Sequence, residues 1–456
     1  MARVAGVDSS TQSVKIVVRD SDTGTLLSQA SHPHPDGTEV DPQHWLDALH
    51  RVIKEVGGLD SLDAISIGGQ QHGMVLLDAN GEVIRPALLW NDTRSAGQAT
   101  AINEKFPNIH QQTGSQLVAS FTASKVRWVL ENEPANAAKI AAIALPHDWL
   151  SWKLSGSSDL NDLFTDRSDA SGTGYFDPIN NTYISEIVEW VVGKTDVVLP
   201  RVVAPGETGT RIGKTVIASG AGDNAAAALG IGAKLGDLVI SLGTSGTAFS
   251  VSSSPTHDAS GEVAGFADAS GNFLPLACTL NAAKIFDSTA KLLTIDFEKF
   301  SELALQANPG SDGLMVMPHF DGERTPNRPS AQGAIVGVTH SNFTPANLAR
   351  ASIEGVLAGL AYATDALLRE KVEISRLLLV GGAARNNAVQ QIASEIFGLP
   401  VHLPKPGEYV SEGAAIQAAW ALSGSRPEWS QLDLEVIHAE PQPEVRARYL
   451  REIASI

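Results

Sequence analysis

The chain has 456 residues, 43% hydrophobic and 18% charged, which supplies two or three full-sized cores and excludes a disordered segment. Its formal charge of −18 disfavours nonspecific binding to nucleic acid or to an anionic membrane, since both need clustered Lys and Arg. The single cysteine, Cys278, excludes an internal disulfide or a CxxC metal site and fits a reducing compartment. No apolar run reaches the roughly 18 residues of a membrane span, and the N-terminal segment lacks the apolar core of a signal peptide. A soluble, cytoplasmic protein is expected.

Residues 3–7 and 14–18 read as β-branched strands joined by the polar turn Asp8-Ser9-Ser10-Thr11-Gln12-Ser13, with a third strand at 25–29. His32 and His34, in a Pro-rich stretch, are expected to be solvated. A helix over 42–56 follows, with Asp41 as N-cap and Pro42 at the first helical position. Residues 64–67 form a strand that ends in Gly68-Gly69-Gln70-Gln71-His72-Gly73, and 75–81 suggest a hairpin with an Asn-Gly turn. A strand at 215–219 runs into Gly220-Ala221-Gly222-Asp223-Asn224 and an alanine-rich helix over 225–229. The pattern then restarts: a strand at 238–241, the turn Leu242-Gly243-Thr244-Ser245-Gly246, and a strand at 247–251. A last strand, 376–380, leads through Gly381-Gly382-Ala383-Ala384-Arg385-Asn386 into a helix to 397, and 429–456 read as a charged tail with helix. Strands alternating with helices give an α/β protein. The repeated hairpin predicts two halves with a shared cleft, divided near 230–236.

Several of these turns can carry chemistry. Asp8 with Ser10, Thr11 and Ser13 suits a metal-bound phosphate, although an ordinary Asp-capped hairpin has the same composition. Gly243, Thr244 and Ser245 offer backbone N–H groups and hydroxyls to a phosphate, as a plain turn also would. Gly381 and Gly382 leave bare backbone for a ring or phosphate, and Asn386 could give an amide to a base; a tight strand-to-helix turn is the alternative. Asp223 on its glycine turn could accept a proton from a hydroxyl, or could cap a helix. Gln71 and His72 could bind several hydroxyls, while a lone His is commonly structural. Gly220-x-Gly222-x-x-Ala225 loosely matches a dinucleotide fingerprint, but the acidic residue expected about 20 positions on is missing. The chain has no Gly-x-x-x-x-Gly-Lys-[Ser/Thr] loop, protein-kinase catalytic loop, Gly-x-Ser-x-Gly elbow or His-Glu-x-x-His.

In combination the chain resembles the FGGY carbohydrate kinases over nearly its whole length. One family signature fits Ser120 to Asn132 through Thr122, Lys125, Trp128 and Glu131. A second fits Gly333 to Glu354 through Gly337, Asn347, Leu348 and the run Ala351 to Glu354. The segments Gly69 to Gly73, Ala87 to Arg94, Ser168 to Thr173, Gly222 to Ala226, Ser241 to Gly246 and Gly322 to Pro326 are similar to the D-xylulose-phosphorylating branch. The resemblance implies an α/β fold of two actin-like (ribonuclease H-type) domains with an interdomain cleft. Residues 1–230 would be the sugar-binding domain and 231–456 the ATP-binding domain. It implies ATP-dependent phosphorylation of D-xylulose, with ribulose, gluconate or glycerol as alternative acceptors, and a homodimer.

The resemblance also implies roles. Asp223 would be the catalytic base, and Asp8 would be catalytic and would hold Mg²⁺. Gln71, His72, Asp223 and Asn224 would bind the sugar. Ser10, Thr11, Gly243, Thr244, Ser245, Gly381, Gly382 and Asn386 would bind ATP. The chain departs from the family where the first phosphate loop lacks its two glycines, and at Gln71, where methionine is frequent. The rival readings are a nicotinamide-dependent oxidoreductase, from the Gly220 segment, and a non-catalytic sugar sensor.

Overall fold

The computed structural model describes residues 2–429 and 434–455. Two seven-stranded sheets organise the chain. In the first, Arg3–Ser9 pairs antiparallel with Ser13–Asp20, which pairs antiparallel with Leu26–Pro33. On its other side Arg3–Ser9 runs parallel to Ala64–Gly69, which runs parallel to Thr215–Ala218. The second sheet repeats this plan. Asp237–Leu242 pairs antiparallel with Gly246–Ser250, then Phe273–Thr279 follows, and Arg376–Val380 and Val401–Pro404 add in parallel. The repeat seen in the two hairpins therefore extends to five strands in the same spatial order.

Local chemistry explains the elements. Pro42–Glu55 is a helix because Asp41 accepts from the Gln43 N–H and Pro42 needs no donor of its own. It buries Trp45, Leu49, Val52 and Ile53 against the first sheet. In the second half Pro345–Arg369 is the central core helix. It is long and apolar enough to cross a membrane, yet 83% of its apolar window is buried within the protein.

The structure departs from expectation or adds to it in four places. The first turn is only Ser10–Gln12, since the strands reach Ser9 and restart at Ser13, which puts Asp8 in the sheet opposite Lys15. His34 is buried rather than solvated, its Nδ1 2.9 Å from the Ser10 carbonyl, because the Leu26–Pro33 strand folds it under that turn. Val75–Leu77 pairs with Ala142–Ala144 as well as closing the expected hairpin, whose Asn80-Gly81 turn is held by the Gly81 N–H on the Asp78 carbonyl, the Asp78 N–H on the Glu82 carbonyl and the Ile84 N–H on the Leu76 carbonyl, each at 2.9 Å. The tail contains a strand, Leu434–Ile437, paired with Val401–Pro404, before its helix Pro443–Ser455; residues 430–433 and 456 of that tail lie outside the described residues.

The helix Tyr409–Ser423 lies in sequence between two strands of the second sheet, Val401–Pro404 and Leu434–Ile437, but packs on the first. A Cβ on Gly6 would lie 1.9 Å from the Ser411 carbonyl oxygen and 2.2 Å from the Ala415 nitrogen, so backbone meets backbone there. Ala418 and Ala419 join Val4, Ala64 and Val216 in one small core. A division at residue 230 thus assigns to one half by sequence a helix that packs on the sheet of the other.

Candidate active site

Functional side chains gather where parallel strands end, the usual position for a site in an α/β sheet. The register sets Asp8 beside Gly68 and Ser9 beside Gly69, and Ala221–Gly222 lines up with Gly68 and Gly69 from the other side. Asp8, the Gly69–His72 segment and Asp223 are thereby brought to one edge. In the second sheet Ser241 lies beside Val380. The Gly243 and Gly381 turns consequently leave the sheet together.

Asp223 is the first residue of the helix Asp223–Ile231, and Gly222 rather than Asp223 is its N-cap. Its Oδ1 accepts from the Asn224 N–H at 2.7 Å and from Asn224 Nδ2 at 2.8 Å. Burial, reinforced by the Asp8 charge, outweighs those donors and raises the Asp223 pKa to about 7. Burial likewise raises Asp8 to about 6, against the hydrogen bond donated by Ser10 Oγ. Lys15, opposite Asp8, is held by Glu408 at 2.6 Å. The two carboxylates therefore share one region without a basic side chain committed to them, a donor set that fits a hard divalent cation.

Gln71 is buried. Its Nε2 donates to the Ser168 carbonyl at 3.3 Å, and its Oε1 accepts from Asn224 Nδ2 at 3.4 Å. His72 has a left-handed backbone, φ 67°. Its Nδ1 is 2.6 Å from the Gly172 carbonyl, which assigns the proton to Nδ1. Burial and then the Lys125 charge push its pKa down to about 3. The ring is neutral, and Nε2 is an acceptor with no partner among the described residues.

Behind this segment lies a charge cluster that sequence reading missed. His147 Nδ1 is 2.9 Å from Asp169 and 3.0 Å from Asp148, and its Nε2 is 3.6 Å from Asp166. Burial opposes a charge there, but Asp148 and Asp169 hold the imidazole pKa well above its ordinary value. Burial raises Asp166, and Asp169 to about 7, against the imidazole charge, and His147, Asp148 and Asp169 offer ligand atoms within 4.8 Å of one another. The His147 ring explains the glycine pattern that resembled a dinucleotide fingerprint. A Cβ on Gly220 would meet His147 Cδ2 at 2.2 Å, and one on Gly222 would meet Gln71 Nε2 at 2.7 Å. These glycines admit side chains, not a pyrophosphate.

Two adjoining cavities lie beyond the strand ends. One, about 700 Å³, is lined by Asp8, Lys15, Asn224, Ser241, Gly381 and Gly382. The other, about 820 Å³, is lined by Gly243, Thr244, Gly382, Asn386, Phe297 and Leu305. Gly382 and Arg385 border both. Asn386 Oδ1 caps the following helix by accepting from the Ala388 and Val389 N–H groups, and it also accepts from Ser301 Oγ. Its Nδ2 is left for another acceptor. Phe297 and Leu305 were not found from sequence, since they carry no motif and reach the cavity only through folding; Arg385 lies in the Gly381–Asn386 turn but was not singled out there. Ser245 is exposed at the tip of its turn and borders neither cavity. Ser10 and Thr11 also border neither: Ser10 bonds Asp8, and Thr11 Oγ1 accepts from Trp90 Nε1 at 2.9 Å.

Family models meet this geometry from outside. The model for the N-terminal domain of the FGGY family of carbohydrate kinases matches residues 3–230, and that for the C-terminal domain matches 238–422. The chain belongs to the FGGY family of carbohydrate kinases. It is 44% identical over 439 residues to a xylulose kinase of Streptomyces coelicolor, covering 92% of this chain and 88% of that one. It is 43% identical to a xylulose kinase of Streptomyces rubiginosus, covering 93% and 89%. The crystal structure of xylulose kinase from Bifidobacterium adolescentis superposes with a TM-score of 0.93 at 42% identity, over 99% of both chains. The fold is that of FGGY sugar kinases, the two-domain actin-like arrangement, and ATP is the phosphoryl donor of the family.

Proposed function

We propose that the protein transfers the γ-phosphoryl group of ATP to D-xylulose, giving ADP and D-xylulose 5-phosphate, with Asp223 as general base. The observation that carries this reading is the Asp223 carboxylate, poised near neutrality where Asp8, Asn224 and the Gln71–His72 segment meet. D-Xylulose as acceptor is supported by the 42–44% identity to xylulose kinases along nearly the whole chain.

In this reading a sugar hydroxyl donates to Asp223 and another donates to His72 Nε2, with Asn224 beside them. Asp223 takes the hydroxyl proton as the oxygen attacks the γ-phosphorus, and the bond from that phosphorus to the bridging oxygen of ADP breaks. Thr244 and the Gly381–Gly382 turn present N–H groups to the phosphates, while Gly243, its own N–H bonded to the Ser245 carbonyl at 3.1 Å, lets them approach bare backbone, with Ser245 at the open tip of the same turn. Asn386 Nδ2 and the Phe297 and Leu305 side chains receive the base. Ser10 and Thr11 serve the site through Asp8 and Trp90. Asp8 would hold Mg²⁺, which when bound offsets phosphate charge. A cleft between two sheets also keeps water, a competing acceptor, from the phosphorus.

The test is ADP release from Mg-ATP across a panel of ketoses, aldoses and polyols with a sugar-free control. Strong release with D-xylulose is expected. Preference for another sugar would overturn the acceptor and keep the kinase; release independent of any sugar would overturn both.

A further inference from the structure

The helix Thr122–Asn132 carries the polar residues of the first signature, and its N-terminus lies against His72. Lys125 is fully buried, 0% exposed, and pairs with no carboxylate among the described residues. A buried ammonium without a contacting counter-charge is costly, and burial lowers its pKa to about 7 against the more distant Asp92 charge. What it does touch is two carbonyls: it donates to His72 O at 3.1 Å and to Ser120 O. Thr122 Oγ1, three residues back and on the same helix face, donates to the same His72 oxygen at 3.1 Å. One carbonyl thus receives two side-chain donors.

That carbonyl belongs to a residue in a strained conformation. At φ 67° an L-residue crowds its own backbone, and it stays there only when its surroundings hold it. The His72 ring is constrained as well, with Phe121 at 4.8 Å, Phe266 at 5.5 Å and the Gly172 carbonyl on Nδ1. Phe121 directly precedes this helix, and the Ala123 N–H donates to the Thr173 carbonyl at 2.9 Å. The same helix end therefore anchors the His72 backbone, walls its ring and ties down the loop that accepts its proton.

We infer that Thr122 and Lys125 are positioning residues that clamp the His72 carbonyl and so aim His72 Nε2 at the sugar. The inference rests on the reading of His72 as a sugar contact, and the experiment separates the two. Steady-state kinetics are measured with D-xylulose and Mg-ATP for Lys125→Met, Thr122→Val, His72→Ala and the combinations with His72→Ala, each checked for folding by thermal melt. Lys125→Met is expected to raise the sugar KM about tenfold or more, the loss of a charged hydrogen bond, while the ATP KM stays unchanged. Thr122→Val should move the sugar KM in the same direction by less. In the His72→Ala background neither substitution should add to the sugar KM, since the clamp then has nothing to aim. If Lys125→Met fails to fold, Thr122→Val carries the same cycle. Equal losses with and without His72, or an ATP KM that rises with the sugar KM, would overturn the clamp. An unchanged sugar KM in His72→Ala alone would instead overturn the role given to His72.

Discussion

The two halves share a strand order but use their first hairpin turns differently. In the first sheet the turn after Ser9 is closed on itself: Ser10 bonds Asp8, the Ser10 N–H bonds the Ser13 carbonyl at 3.1 Å, and Thr11 bonds Trp90. In the second sheet Gly243–Ser245 is exposed, and its Gly243 and Thr244 carbonyls are docked by the Ala283 and Ala282 N–H groups. One half has invested its turn in holding a carboxylate. The other also closes one backbone bond, from the Gly243 N–H to the Ser245 carbonyl at 3.1 Å, but spends no side chain on a carboxylate. In the mechanism proposed above, the duplicated fold divides the labour of phosphoryl transfer, with acid–base groups on one side and the nucleotide cradle on the other.

The comparison breaks first at Asp223. Asp223→Asn should cut turnover by about 10²–10⁴, the usual worth of a positioned base, while Mg-ATP binding measured by calorimetry is retained. Near-normal turnover would end the division of labour proposed here. The pH profile sharpens the same point. A base works unprotonated, and Asp223 is raised to about 7, so kcat/KM at limiting substrates should be full above that pH. Below it activity should fall by about tenfold per pH unit. A flat profile between pH 5 and 8 would count against Asp223. On the nucleotide side, Gly381 has φ 97°, and a Cβ there would lie 2.5 Å from the Leu242 carbonyl oxygen. Gly381→Ala should raise the ATP KM by about tenfold, a strain of 1–2 kcal/mol, and leave the sugar KM alone. The reverse pattern would mean that the two halves are not separated as described.

Much of this was open to sequence reading because short patterns carry it. Strand–turn–strand units at 3–18 and 238–251 placed Asp8 and Gly243, and glycines before helices marked Asp223 and Gly381. What could not be read depends on distant packing. Phe297 and Leu305 look like ordinary amphipathic-helix residues until Phe297–Gln306 is laid beside Asn386. His147 has no recognisable spacing to Asp166 and Asp169, since the strand Phe164–Asp166 brings them together only in the fold. His34 misled because a Pro-rich neighbourhood says nothing of the turn that covers it. The glycine run at 220–222 misled for the converse reason: close side-chain approach and close phosphate approach ask for the same residue.

The helix over Gly6 has a consequence for how the chain is made. Synthesis proceeds from the N-terminus, so Gly6 emerges long before its cover. The backbone that covers it, Ser411 to Ala415, comes some four hundred residues later in this chain. Until then Val4, Ala64 and Val216 lack Ala418 and Ala419, the partners that complete their core. The nascent first sheet must therefore wait, with that face open beside the ribosome, until the Tyr409–Ser423 helix has been translated.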